Sequence, residues 1–320
     1  MSLKNGDTVL VAGGCGFIGS ALIREIRANY ENTHIKVIDD CSSGTRANIE
    51  GTADIEVIEG SILEEDKVER ALKSVDVVFH LAALPFIPDG YRDPLSFLDV
   101  NVNGTVKLFL KAMDSKAKLF VYVSTSEVYG TAQYVPIDET HPTNPHSTYA
   151  ASKLSGEMLT YILYREHGFP TVILRPFNTY GPKDSYPRII PELIKQSHKD
   201  DVFRLGNIHT SRDFTYVEDI ARGILLSAET SKATGRIINL CSGIEILGKE
   251  LVSLVTELVG KSDYRIIIEN ERIRPHDVNR LCGDNRLAKE ILNWTPKMEL
   301  EEGLKKTIEW YREAGKWRWE

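Results

Sequence analysis

Cysteine is scarce in this chain, with four residues among 320, at positions 15, 41, 241 and 282. They are scattered and share no metal-ligand spacing, which predicts free thiols in a reducing compartment, no disulfide framework and no metal. Long apolar runs are missing too. None approaches the ~18 residues of a membrane span, and Met1-Ser-Leu-Lys-Asn-Gly-Asp-Thr8 has no apolar signal-peptide core before the first strand pattern begins. The expectation is a cytoplasmic protein without membrane attachment. Positive charge is in deficit: 39 Lys and Arg against 46 Asp and Glu give a formal net charge of -7. That argues against nucleic acid as the main partner, but not against a small anionic ligand, which needs only a few local arginines. No internal repeat, low-complexity segment or long linker interrupts the sequence, and its length suits one large or two medium domains.

What is present is a regular alternation. Short apolar runs at 8–12, 35–40, 55–58, 75–80, 119–123 and 171–174 read as strands. Helical patterns run from the glycine loop to about 29, and over 64–73, 94–113 and 147–167. Strands and helices alternating at this spacing predict βαβ units, hence a parallel sheet with helices on both faces. After Phe177 the pattern loosens into helices near 187–199, 217–229, 248–259, 285–292 and 300–314, with short strands near 237–240 and 265–268. The expected organisation is a main domain over 1–177 and a smaller ligand-closing cap over 178–320. A segment of about 212–242 is expected to return to the main domain, because Arg236-Ile-Ile-Asn-Leu240 reads as a buried strand.

Two stretches carry chemistry. The first, Gly13-Gly-Cys-Gly-Phe-Ile-Gly19, lies between a strand and a helix and fits both common dinucleotide-binding glycine patterns. Glycines there let the backbone turn sharply and let a pyrophosphate approach the helix N-terminus. Asp39 stands twenty residues after Gly19 at the end of the next strand, where a carboxylate accepts hydrogen bonds from an adenosine ribose and repels a 2′-phosphate. Asp40, not an arginine, follows it, which favours NAD over NADP. The fold class that follows is α/β: a Rossmann-type doubly wound parallel sheet with a smaller C-terminal α/β substrate-binding domain. Cys15 reads as a small filler beside the cofactor, and His80, at the end of an apolar strand, as structural.

The second stretch is Ser124-Thr-Ser-Glu-Val-Tyr-Gly130 with Tyr149-Ala-Ala-Ser-Lys153. It begins at a strand end and closes at the start of a long helix. Tyr149 and Lys153 are four apart and share a helix face. An ammonium beside a phenol lowers the phenol's pKa and makes it a plausible base near neutrality. A hydroxyl, a carboxylate and this pair together suit proton removal from a sugar alcohol.

These residues resemble the extended short-chain dehydrogenase/reductases, specifically the nucleotide-sugar epimerase/dehydratase family. The resemblance also takes in His80-Leu-Ala-Ala83, Asn101-Val-Asn-Gly-Thr105, Arg175-Pro-Phe-Asn-Thr-Tyr-Gly-Pro182, Arg212-Asp-Phe-Thr-Tyr-Val-Glu-Asp219, Arg274-Pro-His-Asp277 and Trp294-x-Pro296, nearly the whole chain in order. It implies NAD held by Gly13, Gly16, Phe17, Ile18, Gly19, Asp39, Asp40, Ser43, Gly44, Ser61, Ile62, Leu81, Ala82, Ala83, Asn101, Ser124, Tyr149, Lys153 and Phe177. It implies a nucleoside-diphosphate sugar contacted by Pro85, Thr125, Ser126, Glu127, Asn178, Ile190, Arg212, Arg274 and Asp277. By the same resemblance Tyr149 takes the sugar C4 hydroxyl proton, Lys153 binds the nicotinamide ribose and lowers the Tyr149 pKa, and Thr125 hydrogen-bonds the C4 oxygen. Two departures stand out: Gly60-Ser61 replaces the family's Gly-Asp near the adenine, and Ala12 replaces a threonine before the glycines.

Oxidation at C4 acidifies the C5 proton. Glu127, two residues after Thr125, is the candidate base, and loss of the C6 hydroxyl would then complete a 4,6-dehydration. Ser126 stands where many dehydratases carry an aspartate as the C6 acid, and a Thr-Ser-Glu motif also occurs in nucleotide-sugar decarboxylases. The wider stretch looks most like bacterial 4,6-dehydratases of nucleotide-activated amino sugars. The expectation is therefore a lyase, with 4-epimerase, uronate-type decarboxylase or 4-dehydrogenase as alternatives and a non-catalytic binding protein as a remote one. Residues 84–92 are expected to form a loop at the active site, with Arg92 near the ligand or on the surface. The resemblance also implies a homodimer through helices near 96–113 and 148–166, the second bearing Leu154, Met158, Tyr161 and Ile162.

Overall fold

The alternation seen in the sequence becomes a computed structural model that describes residues 2–199 and 201–314. The first half runs β1 (Thr8–Ala12), α1 (Phe17–Asn29), β2 (His34–Asp39), β3 (Ile55–Glu59), α2 (Glu65–Leu72), β4 (Val77–His80), α3 (Ile87–Arg92), α4 (Pro94–Leu98), α5 (Thr105–Asp114), β5 (Leu119–Val123), α6 (Thr148–His167) and β6 (Thr171–Pro176). The second half runs β7 (Asn178–Tyr180), α7 (Ile189–Ser197), β8 (Val202–Leu205), β9 (Ser211–Tyr216), α8 (Val217–Glu229), β10 (Ile237–Leu240), β11 (Glu245–Leu247), α9 (Gly248–Leu258), β12 (Arg265–Ile268), α10 (Arg286–Leu292) and α11 (Leu300–Ala314). No described helix is long and apolar enough to cross a membrane.

Seven strands form a parallel sheet in the order β10-β6-β5-β4-β1-β2-β3. The central strands are apolar on both faces because helices cover both. Leu22 and Ile26 of α1 and Ile220 and Ile224 of α8 are buried on one side, and Val68 and Leu72 of α2 and Leu108 and Phe109 of α5 on the other. Strand order reverses between β1 and β4, so a crevice opens beyond their carboxyl ends, the usual ligand position in such sheets. Gly13 and Leu81 emerge there side by side: the Leu81 N–H donates to the Ala12 carbonyl at 2.8 Å.

The later segments divide between the sheet and a smaller body. β10 joins the main sheet beside β6, as the Ile237–Leu240 pattern predicts. β9, by contrast, pairs with β7 and β11, and β12 pairs with β8. These small sheets and α7, α9 and α11 bury their own core around Leu193, Phe203, Tyr216, Leu251, Leu304 and Ile308. Strands β7, β8, β9 and β11 carry no clear sequence signal because they are short, three to six residues each, and β7 and β9 are largely polar.

Two elements differ from expectation. The segment at 84–92 is not simply a loop, since Ile87–Arg92 is a short helix with Pro88 in its first turn, where a missing N–H costs nothing. The helix expected over 94–113 widens into a π-helical turn at Asp99–Gly104 between α4 and α5. That turn places Asn101 in the interior, fully buried.

Candidate active site

The cofactor end is built mainly from backbone. Gly13 has φ +85°, and a Cβ there would lie 2.7 Å from the Ala82 nitrogen. A Cβ on Gly19 would lie 2.1 Å from the Gly13 carbonyl oxygen, so only glycine lets α1 pack on the turn. Gly16 precedes α1 and offers no side-chain cap, leaving the first-turn N–H groups and the positive end of the helix dipole for a phosphate. Asp39 is buried; its Oδ2 accepts from the Cys15 N–H at 2.8 Å and its Oδ1 from the Cys41 N–H at 2.8 Å. This fixes the carboxylate at the mouth of the glycine turn. Burial, then the Asp39 charge, pushes the Cys15 thiol well up, as befits a packed filler.

A cleft of about 850 Å³ runs from this turn to the cap. It is lined by Gly13, Gly16, Phe17, Ile18, Gly19, Asp39, Asp40, Ser43, Ser61, Ile62, Leu81, Ala82, Ala83, Ser124 and Phe177, and further along by Pro85, Thr125, Ser126, Glu127, Tyr149, Lys153, Asn178, Ile190, Arg212, Arg274 and Asp277. Two expected cofactor residues stand behind the wall instead. Gly44 packs on the glycine turn, where a Cβ would lie 2.2 Å from the Cys15 carbonyl oxygen. The Asn101 amide is spent on protein groups: it accepts from the Leu84 N–H at 2.9 Å and donates to the Leu84 carbonyl at 3.1 Å and to Ser152 Oγ at 2.9 Å. Ser152 in turn donates to the Tyr149 carbonyl at 2.9 Å, so Asn101 braces the first turn of α6 from below. His80 also lies beneath the cleft, its Nε2 2.8 Å from Thr105 Oγ1 and its titration pulled well down by burial.

Helix α6 starts where Ser147 caps it, accepting from the Ala150 N–H at 3.1 Å. Tyr149 and Lys153 then point to the end of β5. The charge balance differs from expectation. Burial raises the Tyr149 phenol above its usual value, opposed by a hydrogen bond with Thr125 and the charge of Arg188. Lys153 is itself buried, its ammonium 4.3 Å from the centre of the Tyr122 ring, and burial brings it down to about 7. In the chain alone, burial, Thr125 and Arg188 are the main influences on the Tyr149 phenol. Thr125 also anchors the short 3-10 turn at Ser126–Tyr129, accepting from the Glu127 N–H at 3.2 Å.

The sugar end is built from side chains. Arg212 Nη2 lies 3.3 Å from Asp277 Oδ1, and burial, opposed by the charges of Glu127 and Asp277, lowers the arginine. Arg188 pairs with buried Asp184 at 2.8 Å, and Phe86 stacks on Tyr186 at 5.2 Å. Tyr91, within the 84–92 segment expected at the site, lines the cleft, whereas Arg188, Tyr186 and Asp184 are not marked by the sequence. The segment Tyr186-Pro-Arg188 before a helical pattern is the signal that could have found two of them. Arg92 lines the cleft with an exposed side chain, 3.8 Å from Asp89. Ser61 Oγ accepts from the Leu63 N–H at 3.3 Å, capping the approach to α2.

Residues 10–307 match the model of the family described as GDP-mannose 4,6 dehydratase. The chain belongs to this nucleotide-sugar dehydratase/epimerase family. It is an extended short-chain dehydrogenase/reductase, and NAD is its cofactor. The dTDP-D-glucose 4,6-dehydratase of Homo sapiens is 32% identical over 317 residues, covering 95% of this chain and 90% of that protein. A putative UDP-glucose 4-epimerase of Methanocaldococcus jannaschii is 31% identical over 310 residues, covering 95% and 98%. The crystal structure of DesIV, a dTDP-glucose 4,6-dehydratase from Streptomyces venezuelae with NAD and TYD bound, superposes with a TM-score of 0.90 at 29% identity, covering 97% and 98%. The glycine cradle, the uncapped helix start and the oriented Asp39 fit the family's cofactor. Relatives at this distance include dehydratases, epimerases and a decarboxylase, so membership fixes an enzyme of this family and not one reaction.

Proposed function

We propose that this enzyme is a nucleotide-sugar 4,6-dehydratase. The observation that carries the reading is Glu127, held on the turn two residues beyond Thr125, in the cleft that also holds Tyr149 and Arg212. A plain 4-epimerase needs no such base. NAD, held by the glycine turn and Asp39, would supply hydride acceptance at C4 and hydride return at C6. Tyr149 takes the C4 hydroxyl proton, Thr125 holds the oxygen, and the Lys153 ammonium favours the phenolate once substrate closes the site. Glu127 then removes the C5 proton and passes it to the departing C6 hydroxyl, which leaves as water oriented by the Ser126 hydroxyl. Arg212, Arg274, Asp277 and Asn178 hold the nucleotide, since guanidinium groups make strong bidentate contacts to a diphosphate. Residues 1–177 carry the cofactor, and 178–320 mainly the nucleotide sugar.

The runner-up is decarboxylation of a nucleotide uronate. It is favoured by the absence of an acid at Ser126 and by Arg188, whose charge reaches Tyr149. A homodimer is part of the proposal, supported by the exposed side chains of Leu95 and Leu98 on α4 and Met158, Leu159 and Ile162 on α6. The deciding experiment incubates the enzyme with a panel of UDP-, GDP-, dTDP- and CDP-sugars and weighs the products. Loss of water supports dehydration; loss of carbon dioxide or an unchanged mass overturns it. Tyr149→Phe is expected to cut C4 oxidation by roughly 10²–10⁴-fold. Glu127→Gln should leave transient reduced cofactor, seen by absorbance, yet stop the loss of water. Wild-type dehydration by Glu127→Gln would remove Glu127 as the base.

A further inference from the structure

Helix α6 carries a third group on the stripe that bears Tyr149 and Lys153. Glu157 follows Lys153 by four residues, a spacing that puts both side chains on one helix face. Its side chain is buried, and so is that of Arg175 on β6, which grips it with two bonds. Arg175 Nε donates to Glu157 Oε2 at 3.1 Å, and Nη2 donates to Oε1. The Arg175 guanidinium lies 4.7 Å from the centre of the Tyr129 ring, and the Tyr129 hydroxyl donates to Asn239 Oδ1 at 2.8 Å. Tyr129 ends the turn that presents Ser126 and Glu127.

A buried ion pair is a poor means of holding a helix to a strand. Desolvating both charges costs several kcal/mol each, and apolar substitutes of similar volume are often as stable. This pair is also incompletely satisfied, for Arg175 Nη1 has no hydrogen-bond partner among the described residues. Its position suggests another role. The Lys153 ammonium lies 4.3 Å from the centre of the Tyr122 ring on β5, feels buried His80 on β4 and Glu157 one turn on along α6, and has Tyr149 one turn back on the same helix. Of these, Glu157 is the anion.

We propose that Glu157 is a positioning residue of the oxidation step: clamped by Arg175, its carboxylate is the fixed counter-charge to the Lys153 ammonium. The inference rests on the reading of Tyr149 and Lys153 as the proton-handling pair. Burial works against the cation, and Glu157 works for it. Arg175 keeps the carboxylate aimed, and the same clamp seats Tyr129 and so the turn bearing Glu127. The sign is fixed. Lys153 is cationic below its titration point, near 7, and loses the charge as pH rises through it. Removing the Glu157 charge lowers that point further, so the ammonium disappears at lower pH.

The test uses the full-length, NAD-loaded enzyme labelled with ¹⁵N-lysine, following the Lys153 Nζ resonance against pH. In Glu157→Gln its midpoint should fall by about one unit or more, and the alkaline limb of single-turnover C4 oxidation should move to lower pH by the same amount. Glu157→Asp should restore part of both shifts. Because Glu157→Gln leaves Arg175 unpaired and can unfold the chain, Glu157→Gln/Arg175→Met serves as the second variant, with thermal stability recovered and the resonance shift retained in the same direction. An unmoved Lys153 midpoint in whichever variant is folded overturns the proposal, even if activity falls. The resonance is read without substrate, so failure of the dehydratase reading leaves this test intact.

Discussion

The two ends of the cleft are built on different principles. At the cofactor end, backbone does the positioning: Gly13 and Gly19 permit contacts no side chain would allow, and Asp39 is oriented by two peptide N–H groups. At the sugar end, side-chain pairs do it: Arg212 with Asp277, from segments far apart in sequence, and Arg188 with Asp184, four residues away. Backbone geometry tolerates almost no substitution, whereas a paired arginine can be exchanged at graded cost. One end therefore suits a cofactor common to the family, and the other a substrate that differs between members.

Substitutions can break this contrast, and the largest effect should come from the glycine turn. Gly13→Val puts a branched Cβ at φ +85° against the Ala82 backbone. It should weaken NAD binding by about 3 kcal/mol or more, roughly a hundredfold or more. Titration with NAD measures it, and an affinity within a few-fold of wild type would end the claim that backbone shape governs that end. Arg212→Met should come next. Losing charge-assisted bonds worth about 1.5–3 kcal/mol should raise the Kd for nucleoside-diphosphate sugars roughly ten- to a hundredfold, while NAD binding stays as it was. Calorimetry with each ligand separates the two, and a parallel loss of both would merge the ends into one coupled site. The smallest change is Ser61→Asp. Aspartate can keep the cap to Leu63 while offering a carboxylate beside the adenine, so NAD affinity should rise by about 0.5–1.5 kcal/mol, roughly two- to tenfold. Weaker binding would show that the serine suits this cofactor pocket better than the family's usual residue.

The same contrast explains what could be read in the sequence. The glycine turn, Asp39 and the Tyr149/Lys153 pair each lie within one short segment, where spacing alone dictates geometry. The parallel sheet was legible for the same reason, since its central strands β1, β4 and β5 are short apolar runs. Arg188 and Tyr186 were not, because nothing local marks them; folding brings their charges to bear on Tyr149. The lysine–tyrosine pair shows a further limit. Spacing placed both residues on one face, but the sign of the Tyr149 shift depends on burial, which no spacing records. Asn101 was recognised by its motif and expected at the cofactor, yet a widened helical turn draws it beneath the wall.

That π-helical turn at Asp99–Gly104 carries a consequence for insertions and deletions. Each residue in an α-helix advances the chain by about 1.5 Å and rotates it by about 100°. The wide turn absorbs an extra residue, so the apolar face of α5 stays in phase with the sheet. Deleting one residue between 99 and 104 would regularise the helix and leave Leu108 and Phe109 on the core face, yet swing Asn101 off Leu84 and Ser152. The extra residue therefore serves Asn101 rather than the core, and a shorter, more regular helix would lose the brace beneath the first turn of α6.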